Sequence, residues 1–159
     1  MSAIGKDAIK IRRMTHSDLD GVLALLSKIV KGRTTISYRD MVANNPGGPL
    51  DMSLVAEAGG QIVGFILARL EFVYIPLWEV CLVQIVSVDP EYQRHHIGFE
   101  LFNELERNCR LEDIDAIRTL VAETEDQLRR FIEYLGFHTS SIINYDKLLK
   151  GRASPWEKR

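Results

Sequence analysis

Apolar residues recur along this chain at two periods, and the switches between them mark out its elements. Ile9 to Arg12 is a short β-compatible segment. Leu19, Val22, Leu23, Leu26, Ile29 and Val30 then return every three or four positions, which places one apolar stripe on a helix. Thr15, with Asp18 three residues on, resembles a capping box ahead of that helix, and Gly32 closes it. Ser37 with Asp40 repeats the pattern before a shorter helix through Met41 and Val42. Asn45 to Pro49 reads NPGGP and is a loop. Ser53 to Ala58 and Gln61 to Phe72 are strand-like runs on either side of Gly59-Gly60. Two glycines there signal a hairpin, because tight hairpin turns need positive φ. Val73 to Leu77 holds Pro76 and is a connection, whereas Trp78 to Val88 is a strand, apolar on both faces and therefore central in a sheet.

The second half alternates in the same way. Ile97, Leu101, Phe102, Leu105 and Cys109 share one side of a helix, with Glu100, Glu104, Arg107 and Arg110 towards the other. Ile117 to Ala122 is a further strand. Thr124 and Gln127 form a capping box, with Glu125 and Asp126 complementing the dipole of the first turn. Leu128, Phe131, Ile132 and Leu135 are the buried stripe of that helix, and Gly136 followed by Phe137 is its stop. His138 to Leu149 reads as one long or two short strands. The order β-α-α-β-β-β-α-β-α-β predicts an α/β (α+β) fold, a mixed sheet covered on both faces. It makes one domain over residues 1–150 and a loose tail over 151–159.

Composition narrows the class. A chain of 159 residues, 46% hydrophobic and 26% charged, suits one globular domain with a real core and not a disordered segment. Its net charge of -2 argues against bulk binding to nucleic acid or an anionic membrane, so any anion site is local. The first ten residues lack the apolar run of a signal peptide, and Arg69, Glu71, Glu79 and Gln84 interrupt the most apolar region. Cys81 and Cys109 sit among apolar neighbours and read as reduced core thiols, which fits a cytoplasmic protein.

The chemical content concentrates in residues 86–102, VSVDPEYQRHHIGFELF. A strand ends at Pro90, whose missing N–H removes a ladder donor. Gln93, Arg94, His95 and His96 then stand just ahead of a helix start. Unpaired N–H groups and the positive end of the helix dipole make such a junction an anion site, suited to phosphate. Gly98, without a Cβ, admits close approach of a ligand or of backbone. Adjacent His95 and His96 diverge and have no Cys or His at metal-site spacing, so no metal is expected. His16 and His138 read as surface or cap residues, and Trp78 as sheet packing rather than part of an acceptor pocket.

Over residues Ile9 to Leu149 the chain resembles the GNAT superfamily of acyl-CoA-dependent N-acyltransferases. That family carries a strand ending V-x-P, then Q/R-x-x-G-x-G/A at a helix start, here Val88-Asp89-Pro90 through Gln93 to Gly98. Its capped helix ending L-G-F is here Leu135-Gly136-Phe137. The resemblance implies a mostly antiparallel sheet with splayed central strands, and acetyl-CoA as co-substrate. It implies that the pantetheine arm pairs with Val86, Ser87 and Val88 as an added strand would. On the same mapping Gln93, Arg94, His95, His96, Ile97, Gly98 and Phe99 hold the pyrophosphate, and Glu125, Leu128 and Phe131 line the far side of the groove. Two positions depart from the family pattern. The first motif glycine is His96, a residue that tolerates the left-handed conformation and whose imidazolium suits phosphate. The tyrosine that often protonates the departing thiolate is Ile132, and the asparagine usual at that helix start is Glu125.

The implied reaction is attack of an amine on the acyl thioester. Backbone N–H near Val86 would stabilise the oxyanion, Glu79 or Glu123 would act as base, and Tyr145 or water would deliver the proton. The leading expectation is therefore an N-acetyltransferase acting on a primary amine of a small molecule or a protein, with homodimer formation plausible. The alternative is an acyl-CoA-binding sensor or regulatory module that has lost turnover.

Overall fold

A computed structural model describes residues 8–29, 38–44, 46–72 and 79–149. Expectations resting on Val30, Gly32, Ser37, Asn45, the Val73 to Leu77 connection, Trp78 and the 151–159 tail lie outside them. The chain forms two compact units, Met1–Thr119 and Leu120–Arg159.

The N-terminal unit is built on a five-stranded sheet in the order β1 (Lys10–Arg13), β2 (Leu54–Ala58), β3 (Gln61–Phe72), β4 (Glu79–Val88) and β5 (Ala116–Thr119). The first three pairings are antiparallel. The last is parallel, from Val80 opposite Ala116 to Val83 opposite Thr119, and so needs the crossover that helix α3 (Ile97–Leu111) provides. This is the mixed sheet that the order of elements predicts, mostly antiparallel as the family resemblance implies. The Gly59-Gly60 hairpin is as expected: Ala58 faces Gln61, and both glycines have positive φ, 56° and 78°.

Side-chain alternation assigns the two faces. Val55, Phe65 and Leu67 form one core with Val22, Leu25 and Leu26 of helix α1 (Leu19–Ile29) and with Val42 of helix α2 (Tyr38–Ala43). The opposite face meets α3, where a Cβ on Gly64 would lie 3.0 Å from Ile97 Cγ2 and 3.3 Å from Leu101 Cδ1. Helices thus cover both faces. Ile97, Leu101, Phe102, Leu105 and Cys109 are all buried, as the stripe predicts. Cys81, on the α3 face of β4, hydrogen-bonds Cys109; that bond and burial push its thiol pKa far up, which makes it an inert core residue.

The Thr15–Asp18 signal also carries a tertiary contact. Thr15 N–H donates to Asp18 Oδ2 at 2.8 Å, and the same buried carboxylate accepts Arg12 Nη1 at 2.8 Å and Nη2 at 2.7 Å. Arg12 also reaches Glu57 Oε2 on β2, at 2.9 Å. The Arg12 hydrogen bonds hold Asp18 below its ordinary value of 3.8. A lowered carboxylate pKa means stability that is present above 3.8 and lost as pH falls through the folded value. Asp18→Ala is expected to cost about 1–2 kcal/mol at pH 7 and to flatten the stability loss below pH 4, read from urea midpoints against pH.

In the C-terminal unit helix α4 spans Asp126–Tyr134. Its N-cap is Glu125, with no side-chain cap bond, so the expected Thr124–Gln127 box is not formed. Instead Glu125 N–H donates to Ala122 O at 3.0 Å, closing a turn that starts the helix later. The stop is as expected: Gly136 has φ 91°, Gly136 N–H donates to Glu133 O and Phe137 N–H to Ile132 O, a Schellman pair. The strand expected over His138 to Leu149 is absent. Ile142 N–H is taken locally by Ser140 Oγ at 3.0 Å, and residues 138–149 are all exposed without a ladder. The strand expected from Ile117 to Ala122 is likewise shorter, ending at Thr119. No helix among the described residues is long and apolar enough to cross a membrane.

Candidate acyl-donor site

Strand β4 outruns its parallel neighbour. The β4–β5 ladder ends at Val83–Thr119, while β4 continues to Val88 against β3, with Val86 opposite Ile66 and Val88 opposite Gly64. The break falls at an irregularity: Leu67 pairs with Ile85 but Ala68 with Val83, which leaves Gln84 as an extra residue. Such a bulge bends its strand and increases the local twist, and here it falls next to Val83, where the β4–β5 ladder stops. Residues 84–88 therefore present one edge to β3 and the other beyond the end of β5. Val86, Ser87 and Val88 are half-buried there, consistent with a part-open edge. The β4–β5 ladder stops beside this bulge, at the place where the family resemblance implies a splay.

The chain leaves this edge through a tightly tied corner. Asp89 N–H donates to Val63 O at 2.8 Å, Tyr92 N–H to Asp89 O at 2.8 Å, and Glu91 N–H to Asp89 Oδ1 at 3.0 Å. A 3₁₀ turn at Pro90–Tyr92 follows. Gln93 Nε2 reaches back to Val88 O at 3.4 Å, and His95 Nδ1 lies 3.0–3.1 Å from the carbonyls of Gln93 and Tyr92.

The backbone then turns left-handed twice, at Arg94 (φ 67°) and His96 (φ 60°), before α3 begins at Ile97. Left-handed residues in a turn bring successive N–H groups into an anion-binding concavity. His96 is the N-cap of α3 and makes no side-chain cap bond. It thus holds the glycine-type conformation that its place in the motif requires. Gln93, Arg94, His95 and His96 are exposed, buried Ile97 anchors the helix start, and Gly98 and Phe99 are half-buried. At the first turn of this 15-residue helix the leading N–H groups have no intrahelical acceptor.

The left-handed N-cap can be tested directly. A β-branched residue there is strained, so His96→Val is expected to cost about 1–2 kcal/mol. For His96→Gly, relief of that strain and the added freedom of the unfolded chain oppose each other, for a net change under about 1 kcal/mol. Urea midpoints of the two variants check both figures.

The remaining sequence candidates are placed as follows. Glu79 opens β4 opposite Phe72 and is exposed. In the C-terminal unit Glu123 is exposed in the turn before α4, and Glu125 is the exposed N-cap. Leu128 and Phe131 are half-buried on α4, Ile132 is buried, and Tyr145 is 90% exposed. No group of three or more His, Cys, Asp or Glu among the described residues has metal-holding geometry. The sequence reading missed two features. The Gln84 bulge has no local signal, because it is a matter of register between β3 and β4. The ion pair between Lys28 Nζ and Asp89 Oδ2, at 2.6 Å, joins residues 61 apart.

The sequence model described as the acetyltransferase (GNAT) family matches residues 25–137. Several solved structures share the fold. The aminoglycoside N-acetyltransferase AAC(6')-Iy in complex with CoA is 18% identical, with 87% of this chain and 94% of that chain covered and a TM-score of 0.76. The aminoglycoside 6'-N-acetyltransferase AAC(6')-Ih from Acinetobacter baumannii is 19% identical, over 91% of this chain and 100% of that one, with a TM-score of 0.76. An aminoglycoside acetyltransferase from an uncultured soil metagenomic sample, in complex with sisomicin, is 16% identical over 89% and 97% of the two chains, with a TM-score of 0.72. Among curated proteins none matches.

Proposed function

Because the chain belongs to the acetyltransferase (GNAT) family, we propose that it moves an acetyl group from acetyl-CoA to a primary amine of a small molecule or a protein. The observation that carries this reading is the junction of β4 with α3: an open strand edge running, through two left-handed residues, into a helix N-terminus. An extended arm adds to the first and a diphosphate seats on the second, and acyl-CoA carries both groups in that order. The CoA bound by one structural neighbour, and the aminoglycosides named for all three, support the same donor and an amine acceptor.

Acetyl-CoA supplies an activated acyl carbon. The chain has to hold it, stabilise the oxyanion and manage two protons. Main-chain N–H on the free edge near Val86 serves the oxyanion, since fixed amide dipoles need no reorganisation. The amine nitrogen forms its bond to the acyl carbon as the C–S bond breaks. One proton leaves the nitrogen and one reaches the thiolate. Glu79 and Glu123 are the candidate bases and Tyr145 the candidate acid; all three are exposed, so each is open to relay through water. In this reading the protein works in the cytoplasm without metal or nucleic acid.

Release of free thiol from acetyl-CoA, measured across a panel of amines and amino-terminal peptides, tests the proposal. Turnover with at least one amine is expected. Heat of CoA binding with no turnover on any acceptor would reduce the protein to a binding module, and neither heat nor turnover would overturn the reading altogether.

A further inference from the structure

We infer that the Lys28–Asp89 ion pair positions the phosphate-holding loop, which makes Lys28 of α1 a positioning residue for acyl-CoA. The inference rests on the acyl-CoA reading above and adds to it a residue far outside the loop.

Asp89 is the corner between the open edge of β4 and the loop. It is only 6% exposed, and every polar group it has is engaged. Its N–H and C=O bond Val63 and Tyr92, its Oδ1 accepts Glu91 N–H, and its Oδ2 accepts Lys28 Nζ. The first three bonds fix the corner to the sheet and to itself. The fourth alone reaches the helical layer over the other face.

A cleft of about 430 Å³ lies at this place, lined by residues of α1 and β3 together with Arg12, Glu57 and Asp89. The cleft opens beside the close contact of Gly21 on α1 with Ile62 on β3, and Lys28 and Asp89 both stand on its wall. The other cation on the cleft wall does not substitute, because Arg12 is committed to Asp18 and Glu57.

Without Lys28 a largely buried carboxylate keeps a single hydrogen bond. Such a group draws in water or turns towards solvent. Either movement releases the Glu91 N–H and loosens the peptide that leads into the left-handed residues at 94 and 96. Lys28 itself is half-exposed, and ion pairs with an exposed partner add little to global stability. A preorganised site is far more sensitive, since shifts of the order of 1 Å cost up to about 10²-fold. The ion pair therefore acts mainly on ligand affinity.

Calorimetric titration of CoA into the full chain, with melting followed separately, tests this. Lys28→Met is expected to weaken CoA binding about tenfold, with the melting point within a few degrees of the unmutated protein. Lys28→Arg should restore affinity to within about threefold, because a guanidinium can still reach the carboxylate. In steady state the KM for acetyl-CoA should rise in Lys28→Met by a larger factor than kcat falls. Asp89→Asn should weaken CoA binding by a similar factor, and the double variant should be no worse than either single one. If Lys28 instead touched phosphate directly, Asp89→Asn would leave affinity unchanged or improve it, and the inference would fail. It fails equally if Lys28→Met binds CoA as tightly as the unmutated protein. No CoA binding by the unmutated protein would overturn the acyl-CoA reading itself, a result visible before any variant is made.

Discussion

Gly98→Glu is expected to abolish acyl-CoA binding while leaving the protein folded. Gly98 is the second residue of α3, two past the left-handed N-cap. An acidic side chain there is favourable to the helix itself, because it meets the positive end of the dipole and replaces a residue of poor helix propensity. The melting point should hold or rise slightly. The ligand is a different matter. The new carboxylate occupies the place where a diphosphate is proposed to sit and repels it, and its bulk removes the close approach that a small residue allows. A loss of at least about 10²-fold in CoA affinity is expected, roughly 3 kcal/mol, from like-charge repulsion and lost main-chain contacts together. Gly98→Ala separates the two causes: it adds a methyl group without charge and should cost much less. Calorimetry at millimolar CoA, paired with melting curves, reads both effects. An undiminished affinity in Gly98→Glu would move the anion away from the α3 N-terminus.

Features of the fold written in neighbouring residues were legible in the sequence. The paired glycines at 59 and 60 specify positive φ whatever surrounds them, and the hairpin forms at that register. The stripe from Ile97 to Cys109 is buried as spaced, and Gly136-Phe137 closes α4 through backbone bonds that need only a glycine. His96 adopts the left-handed φ that its motif position demands, although its identity departs from the motif. Features set by elements far apart in sequence were not legible. The Lys28–Asp89 tie depends on how α1 lies beside the end of β4 and the Gln84 bulge on the register of β4 against β3, and no local pattern encodes either. Two of the misread local signals, Thr124 and the His138 to Leu149 stretch, failed for one reason. In each a nearby hydrogen bond, from Glu125 N–H to Ala122 O or from Ile142 N–H to Ser140 Oγ, satisfied the backbone before the expected partner did.

The contact that places the proposed donor site is Gly64 on β3. Val88, the last residue of β4, lies opposite it, and α3 comes down onto it so closely that a Cβ would meet Ile97 Cγ2 at 3.0 Å, Leu101 Cδ1 at 3.3 Å and Ser87 O at 3.3 Å. Ile97 is the first residue of α3 and Leu101 lies one turn on, so the absent side chain sets the depth at which the helix N-terminus sits beside the β4 edge. Gly64→Val adds a β-branched group to a strand, which by propensity alone is favourable. Here the two extra methyl groups have no space, because a buried isoleucine and a buried leucine already occupy it and Ser87 O belongs to the backbone of β4. Overpacking of this kind should cost about 3 kcal/mol, the upper part of the usual range, since neither partner side chain is free to swing into solvent. The helix front must move outwards to relieve it, carrying Ile97 and the left-handed N-cap with it. Acyl-CoA affinity should therefore fall further than the stability loss explains, at temperatures where the variant remains folded. A matching double variant, Gly64→Val with Ile97→Ala, returns volume to the contact and should recover part of the stability. If Gly64→Val melts and binds CoA like the unmutated protein, the distance between α3 and the sheet is set elsewhere, and the proposed site loses the feature that fixes its geometry.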